Sequence, residues 1–312
     1  MTVKAVLSLV PSKDVSHENN VSEIASSERV LNSIAIYGAN AAGKTNLFKA
    51  LTSAILLIRL SNQRQKNDIL PGITPFIFDE DMKKKPTSFE FVFETGNVKY
   101  IYGFSANQIE ILNEYLYAYY SSKPSTVFER NGNEYKFPRD KRMLDQIAEK
   151  NTPNKLFLST ATAWNYERTE AANNWFATGI NTYPDYEQLQ NISLELYEKE
   201  DRQTIHDFTL ELLRESDINV DDYQIKSEPM SNHNIFMLAP ILKRALTNGE
   251  TVVIDEIERS LHPLLVKNII AYFNDKERNP NHAQLIFNTH NLELMSLDIF
   301  RRSEWRSIPF QR

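Results

Sequence analysis

At 312 residues, 41% hydrophobic and 24% charged, the chain is long enough for a large core or two subdomains. The absence of cysteine excludes a disulfide framework, a thiolate metal site and a cysteine nucleophile, and it fits a reducing cytoplasm. No apolar run approaches the roughly 18 residues of a membrane span, no signal peptide is visible at the start, and a net charge of −6 argues against a chain coated for nucleic acid.

In chain order, the first strong feature is Ser33-Ile34-Ala35-Ile36-Tyr37, a short β-prone run. It leads into Gly38-Ala39-Asn40-Ala41-Ala42-Gly43-Lys44-Thr45, a complete G-x-x-x-x-G-K-[ST] loop. Gly38 and Gly43 let the backbone curl so that its N–H groups point at phosphate oxygens. Lys44 supplies a point charge to the outer phosphates, and Thr45 offers a hydroxyl to Mg²⁺. Asn46 follows. Leu47, Ala50, Leu51, Ala54, Ile55 and Ile58 then recur at helical spacing, so the helix N-terminus faces the anion. Residues 38–46 are therefore the expected ATP-binding segment.

Residues 87–137 predict an antiparallel meander. Phe89, Phe91 and Phe93 alternate with polar residues, and Thr95-Gly96-Asn97 and Asn131-Gly132-Asn133 supply turns. Tyr115, Tyr117 and Tyr119 share one face; a covered sheet face is the expectation, with a base-stacking platform as the alternative. Residues 138–225 read as a helical insertion, with apolar positions at three- and four-residue steps over 139–150 and 187–214. Trp164 and Trp175 are expected to pack there. Lys83-Lys84-Lys85 is a short basic run, read first as a solvated loop, with a nucleic-acid or effector contact as the alternative, and Arg301-Arg302 leaves the same two readings open.

The last lobe, 226–312, carries the remaining chemistry. Thr251-Val252-Val253-Ile254 is an apolar strand ending in Asp255-Glu256. Asp255 is placed to hold Mg²⁺, and Glu256, one residue along an extended chain, to orient or deprotonate the attacking water. Leu285-Ile286-Phe287-Asn288-Thr289 delivers His290 to a strand C-terminus, where open α/β sheets bind ligands. Pro263 opens a further helix.

Val253-Ile254-Asp255-Glu256-Ile257-Glu258-Arg259-Ser260-Leu261-His262-Pro263 resembles the Walker B strand and D-loop of ABC-type ATPases. Together with Ile36 to Leu47, Leu156-Phe157-Leu158-Ser159 and Leu238-Ala239-Pro240-Ile241-Leu242, it resembles one branch of them. These are the prokaryotic AAA/ABC-hybrid ATPases of phage-defence systems: abortive-infection and RloA-like proteins, the PARIS ATPase AriA and, more distantly, OLD-family and Septu ATPases. The resemblance implies an α/β P-loop NTPase of ABC-ATPase type with an antiparallel β subdomain and a helical insertion. It also implies a homodimer or higher oligomer with ATP and Mg²⁺ between copies, catalytic Glu256 and His290, and Ser260 and His262 in the interface loop. The expected division is 1–86 with the phosphate loop, then 87–137, 138–225 and 226–312.

One feature of that branch is absent. A Ser-x-Gly signature normally precedes a helix like Ile235–Leu246, but the chain reads Glu228-Pro229-Met230-Ser231-Asn232-His233-Asn234 there. Either the signature has degenerated, leaving a weak or regulatory ATPase, or the sequence lacks stretches of a longer chain. Glycine numbers only 8 of 312, where average usage gives about 22, which favours the second. The expected function is a cytoplasmic ATPase acting as sensor and switch in antiviral defence. With no acidic or histidine cluster for a nuclease, killing falls to a separate toxin or nuclease effector. A DNA-repair ATPase of SMC or RecF type and a non-hydrolysing scaffold are the alternatives.

Overall fold

The computed structural model describes residues 5–38, 42–73, 85–184, 186–224, 234–258, 261–294, 299–301 and 304–307. Its strands are β1 (Val21–Glu23), β2 (Arg29–Leu31), β3 (Ser33–Tyr37), β4 (Thr87–Thr95), β5 (Val98–Ala106) and β6 (Ile111–Tyr119). Then come β7 (Ser125–Asn131), β8 (Glu134–Lys136), β9 (Ile180–Tyr183), β10 (Thr251–Ile254), β11 (Gln284–Asn288) and β12 (Trp305–Ser307). The helices are α1 (Lys44–Arg59), α2 (Lys141–Ala148), α3 (Phe157–Ala163) and α4 (Glu167–Asn174). They continue with α5 (Tyr186–Lys199), α6 (Arg202–Glu215), α7 (Asn234–Asn248) and α8 (Pro263–Asn274). Two compact units result, one from 1–48 with 179–312 and the other from 49–178.

The first unit is built on a five-stranded sheet in the order β12-β3-β11-β10-β9, parallel throughout. A parallel sheet covered on both faces needs near-continuous apolar strands, and β3, β10 and β11 are almost wholly buried. Helices α5 and α6 pack on α7, and Leu196, Leu212, Leu238, Ile241, Ile269 and Phe287 share one core. Pro240 sits inside α7 and has no N–H for the Phe236 carbonyl four residues back. The Tyr197 hydroxyl donates to that carbonyl at 3.0 Å instead, so the helix continues without an orphaned acceptor.

The stretch 138–225, read from the sequence as one helical insertion, is divided between the two units. Ile180–Tyr183 is a strand that joins the parallel sheet beside β10, and α5 and α6 belong with it. Helices α2, α3 and α4 remain in the second unit.

That second unit carries the antiparallel sheet β4-β5-β6-β7-β8. Its covered face holds Tyr102, Phe104, Leu116 and Phe128. The tyrosine stripe lies on the opposite, half-exposed face, which corrects the expectation of a covered one. There the Tyr115 hydroxyl donates to Glu90 and the Tyr117 hydroxyl to Glu129 at 2.9 Å. The Tyr115 ring lies over Gly103, where a Cβ would come within 2.3 Å of it. Trp175 stacks on Phe93 at 4.1 Å as expected of a packing residue, whereas Trp164 is half-exposed beneath the Lys150 ammonium. The buried Glu114 carboxylate accepts the Phe157 and Leu158 N–H groups that open α3, and Arg130 stands 3.6 Å away.

At the N-terminal edge of the parallel sheet, Arg301 is buried rather than solvated and donates to Glu18 at 3.2 Å. Arg302, Lys83 and Lys84 lie outside the described residues. Beside Arg301, Glu304 is fully buried and accepts from Asn20, Ser33 and the Arg301 N–H. Burial pushes the Glu304 carboxyl up to about 7 despite those donors. A raised carboxyl favours the fold while protonated, so its contribution is full at low pH and is lost as pH rises toward 7. We expect a loss on the order of 3 kcal/mol across that window. Urea titrations at several pH values should show this slope for the wild type and a flatter one for Glu304→Gln.

Candidate functional site

The parallel register decides what meets at the C-terminal edge of the sheet. Ile254 of β10 lies beside Phe287 of β11, and Asn288 lies beside Ile36 of β3. Three strands therefore end together, and their next residues are Gly38, Asp255 and Thr289. The Thr289 N–H donates to the Ile36 carbonyl at 3.2 Å and extends the pairing one step past β11.

On the β3 side, Gly43 has φ +97° with open space around a would-be Cβ. Conformation, not crowding, demands glycine there. Helix α1 begins at the next residue, so its unpaired N–H groups face the loop. Lys44 is buried, and its ammonium donates to the Gly38 carbonyl at 2.5 Å. Thr45 and Asn46 are exposed on the first turn of α1. Ala42 is described and half-buried, while Ala39, Asn40 and Ala41 lie outside the described residues.

On the β10 side, Asn288 laces the acidic pair together. Its side-chain amide donates to Asp255 Oδ1, and its carbonyl oxygen accepts the Glu256 N–H at 2.5 Å. Asn288 is buried at the end of an apolar strand. The only sequence signal for its role was a polar residue closing an otherwise apolar run. Glu256 does not continue an extended chain as expected: its φ is +54°, in the left-handed region. For a residue with a Cβ this costs about 1–2 kcal/mol, and the bond to Asn288 holds it there. The turn brings Glu256 Oε1 to 4.0 Å from His290 Nε2, with both side chains nearly half exposed.

Two further groups went unread in the sequence. Glu258 Oε1 accepts the His290 backbone N–H at 2.5 Å. Tyr37 is buried beside the loop, and burial, then the Glu258 charge, pushes its phenol far up. In the loop expected to meet a second copy, His262 is the N-cap of α8, where Nδ1 accepts the Leu264 N–H at 3.3 Å. Ser260 and the segment expected to carry the signature, 225–233, lie outside the described residues.

The donor set fits a magnesium–nucleoside triphosphate. A buried ammonium, a helix N-terminus and a left-handed glycine suit phosphate oxygens, and the Thr45 hydroxyl with the Asp255 carboxylate are the hard oxygens Mg²⁺ takes. Among the described residues there is no cluster of three or more His, Cys, Asp or Glu that would hold a metal by itself.

A parallel sheet with a phosphate loop after one strand and an acidic pair after another defines a P-loop NTPase of mixed α/β fold, here with an antiparallel β subdomain. The chain matches the family described as AAA domain, putative AbiEii toxin, Type IV TA system, over residues 33–225 and 234–296, and it belongs to that family. No curated protein matches the chain. The family implies an ATPase domain that uses nucleotide and, usually, Mg²⁺. No described helix is long and apolar enough to cross a membrane.

Asn288→Ala removes the amide that bonds to Asp255 and the side-chain oxygen that accepts the Glu256 N–H. We expect magnesium-dependent ATP turnover to fall roughly 10- to 100-fold, as for loss of an outer-shell partner, measured as phosphate release against Mg²⁺ concentration.

Proposed function

We propose that this chain hydrolyses ATP at the shared edge of β3, β10 and β11, and is the sensor and switch subunit of a prokaryotic antiviral defence system. The observation that carries the reading is the lacing of Asp255, Glu256 and His290 beside the phosphate loop on one sheet edge.

Residues 38–46 wrap the triphosphate, and Lys44 leaves the Gly38 carbonyl to meet the outer phosphates. Thr45 and Asp255 would hold Mg²⁺, whose charge would offset that of the β- and γ-phosphates. Glu256 takes a proton from the water that bonds to the γ-phosphorus as the bridging bond to the β-phosphate breaks. His290 donates a hydrogen bond to the departing phosphoryl group.

Half exposure of Glu256 and His290 supports a second copy as the missing cover. A site that excludes water makes each electrostatic contact stronger, and a second copy docking through the 259–262 loop would exclude it. ATP would then favour the closed homodimer or higher oligomer, and hydrolysis would release it, because a ligand shifts an equilibrium only by its differential affinity. The family description, a putative AbiEii toxin of a Type IV TA system, supports a toxin–antitoxin setting. A separate toxin or nuclease governed by the switch is our proposal. The cytoplasm, where Mg·ATP is abundant, is the compartment this reading requires.

Lys44→Ala should weaken ATP binding by roughly 100-fold or more, as for loss of a buried charge partner, measured by calorimetry. Glu256→Gln should keep ATP bound, slow turnover at least about 100-fold and trap a closed oligomer on a sizing column. Normal hydrolysis by Glu256→Gln would remove Glu256 from its role. Uptake with no turnover in the wild type would favour the scaffold, and DNA-stimulated turnover would favour a repair ATPase.

A further inference from the structure

Glu258 stands three residues beyond Asp255, on the turn that leaves β10. One carboxylate oxygen, Oε1, accepts the backbone N–H of His290. The other, Oε2, is buried and has no hydrogen-bond partner among the described residues. The Tyr37 hydroxyl is in the same condition, buried and unpaired. Tyr37 feels the Glu258 charge and immediately precedes Gly38, whose carbonyl receives the Lys44 ammonium. One acidic side chain thus bonds to the exit of β11 and lies within electrostatic reach of the residue that precedes the phosphate loop.

A buried carboxylate oxygen and a buried phenol left unpaired disfavour the fold, and native proteins satisfy nearly all such groups. A cap whose whole task was to close the end of β11 would gain nothing from the second oxygen. The two orphaned groups make sense as a contact that forms in another state of the site. On the ATPase reading, the state that would disturb Tyr37 is the one in which Lys44 turns from Gly38 to a phosphate.

We propose that Glu258 is a positioning residue: it holds the backbone of His290 so that the imidazole faces Glu256, and its second oxygen takes the Tyr37 hydroxyl when nucleotide fills the loop. Occupancy of the loop is thereby relayed to His290. The proposal rests on the ATPase reading and deepens it. A purely structural cap predicts a different pattern, in which affinity, turnover and stability fall together.

The test compares Glu258→Ala, Glu258→Gln and Tyr37→Phe in the full chain, reading ATP affinity, turnover and the His290 imidazole resonance by NMR without nucleotide. Glu258→Ala should lower kcat roughly 10- to 100-fold, the cost of a small misplacement of a reacting group, with the Kd for ATP changed less than about twofold. The same variant should displace the His290 resonance. Glu258→Gln keeps an acceptor for the His290 N–H and offers an amide to Tyr37, so it should restore most of kcat and the resonance. Tyr37→Phe should lower kcat several-fold with the resonance in place. Wild-type kcat in Glu258→Ala with an unmoved resonance, or a parallel loss of affinity and kcat that Gln does not rescue, overturns the positioning role. Should Glu258→Ala fail to fold, wild-type kcat in Tyr37→Phe overturns the relay. Absence of Lys44-dependent turnover in the wild type sinks the ATPase reading instead, and the resonance still decides whether Glu258 holds His290.

Discussion

Parallel pairing of β3, β11 and β10 is the constraint on which the rest of the site depends. Each strand is buried and short, and the ladder leaves each one register position in which to end. A slip by one residue would turn Asn288 away from Asp255 and move Thr289 off the Ile36 carbonyl. The apolar side chains fix the register because they must face the helices, and the chemistry is carried by whatever residues follow the last buried position. The geometry of the candidate site is thus a consequence of core packing.

Asn288 converts that alignment into a rigid unit. A single amide has a donor and an acceptor, and here each is matched to a different member of the acidic pair. An aspartate in its place would repel Asp255, and a leucine would leave the Glu256 N–H dry. The left-handed turn at Glu256 stores a small strain that Asn288 offsets, and it is this turn that points a carboxylate toward His290. The unpaired groups of Tyr37 and Glu258 sit on the same edge. Some of the costs of the fold therefore fall where the proposed chemistry is.

The sequence made some of this legible and hid the rest for physical reasons. The strand-end placement of the phosphate loop, Asp255 and His290 was readable because each follows an apolar run in a local pattern. The strand Ile180–Tyr183 was not, since four residues between helical stretches show no usable period and only β10 completes them. Alternation in Tyr115, Tyr117 and Tyr119 revealed a face but not which face is covered. That was settled by register: Gly103 pairs with Tyr115 while Tyr102 pairs with Phe91, which puts the tyrosines opposite the core. Asn288 and Glu258 were silent because their partners lie about 30 residues away, across strands that no local window spans.

The central claim is that Lys44, Thr45 and Asp255 surround one magnesium–nucleotide complex. Its most direct measurement is a crystal structure with a non-hydrolysable ATP analogue and Mn²⁺ in place of Mg²⁺, the metal being located by its anomalous scattering. The account predicts a single manganese peak bridging the Thr45 hydroxyl, directly or through water the Asp255 carboxylate, and the analogue's outer phosphates, with Lys44 turned onto those phosphates. A manganese peak away from Asp255, or a phosphate loop that takes up no analogue, would contradict it.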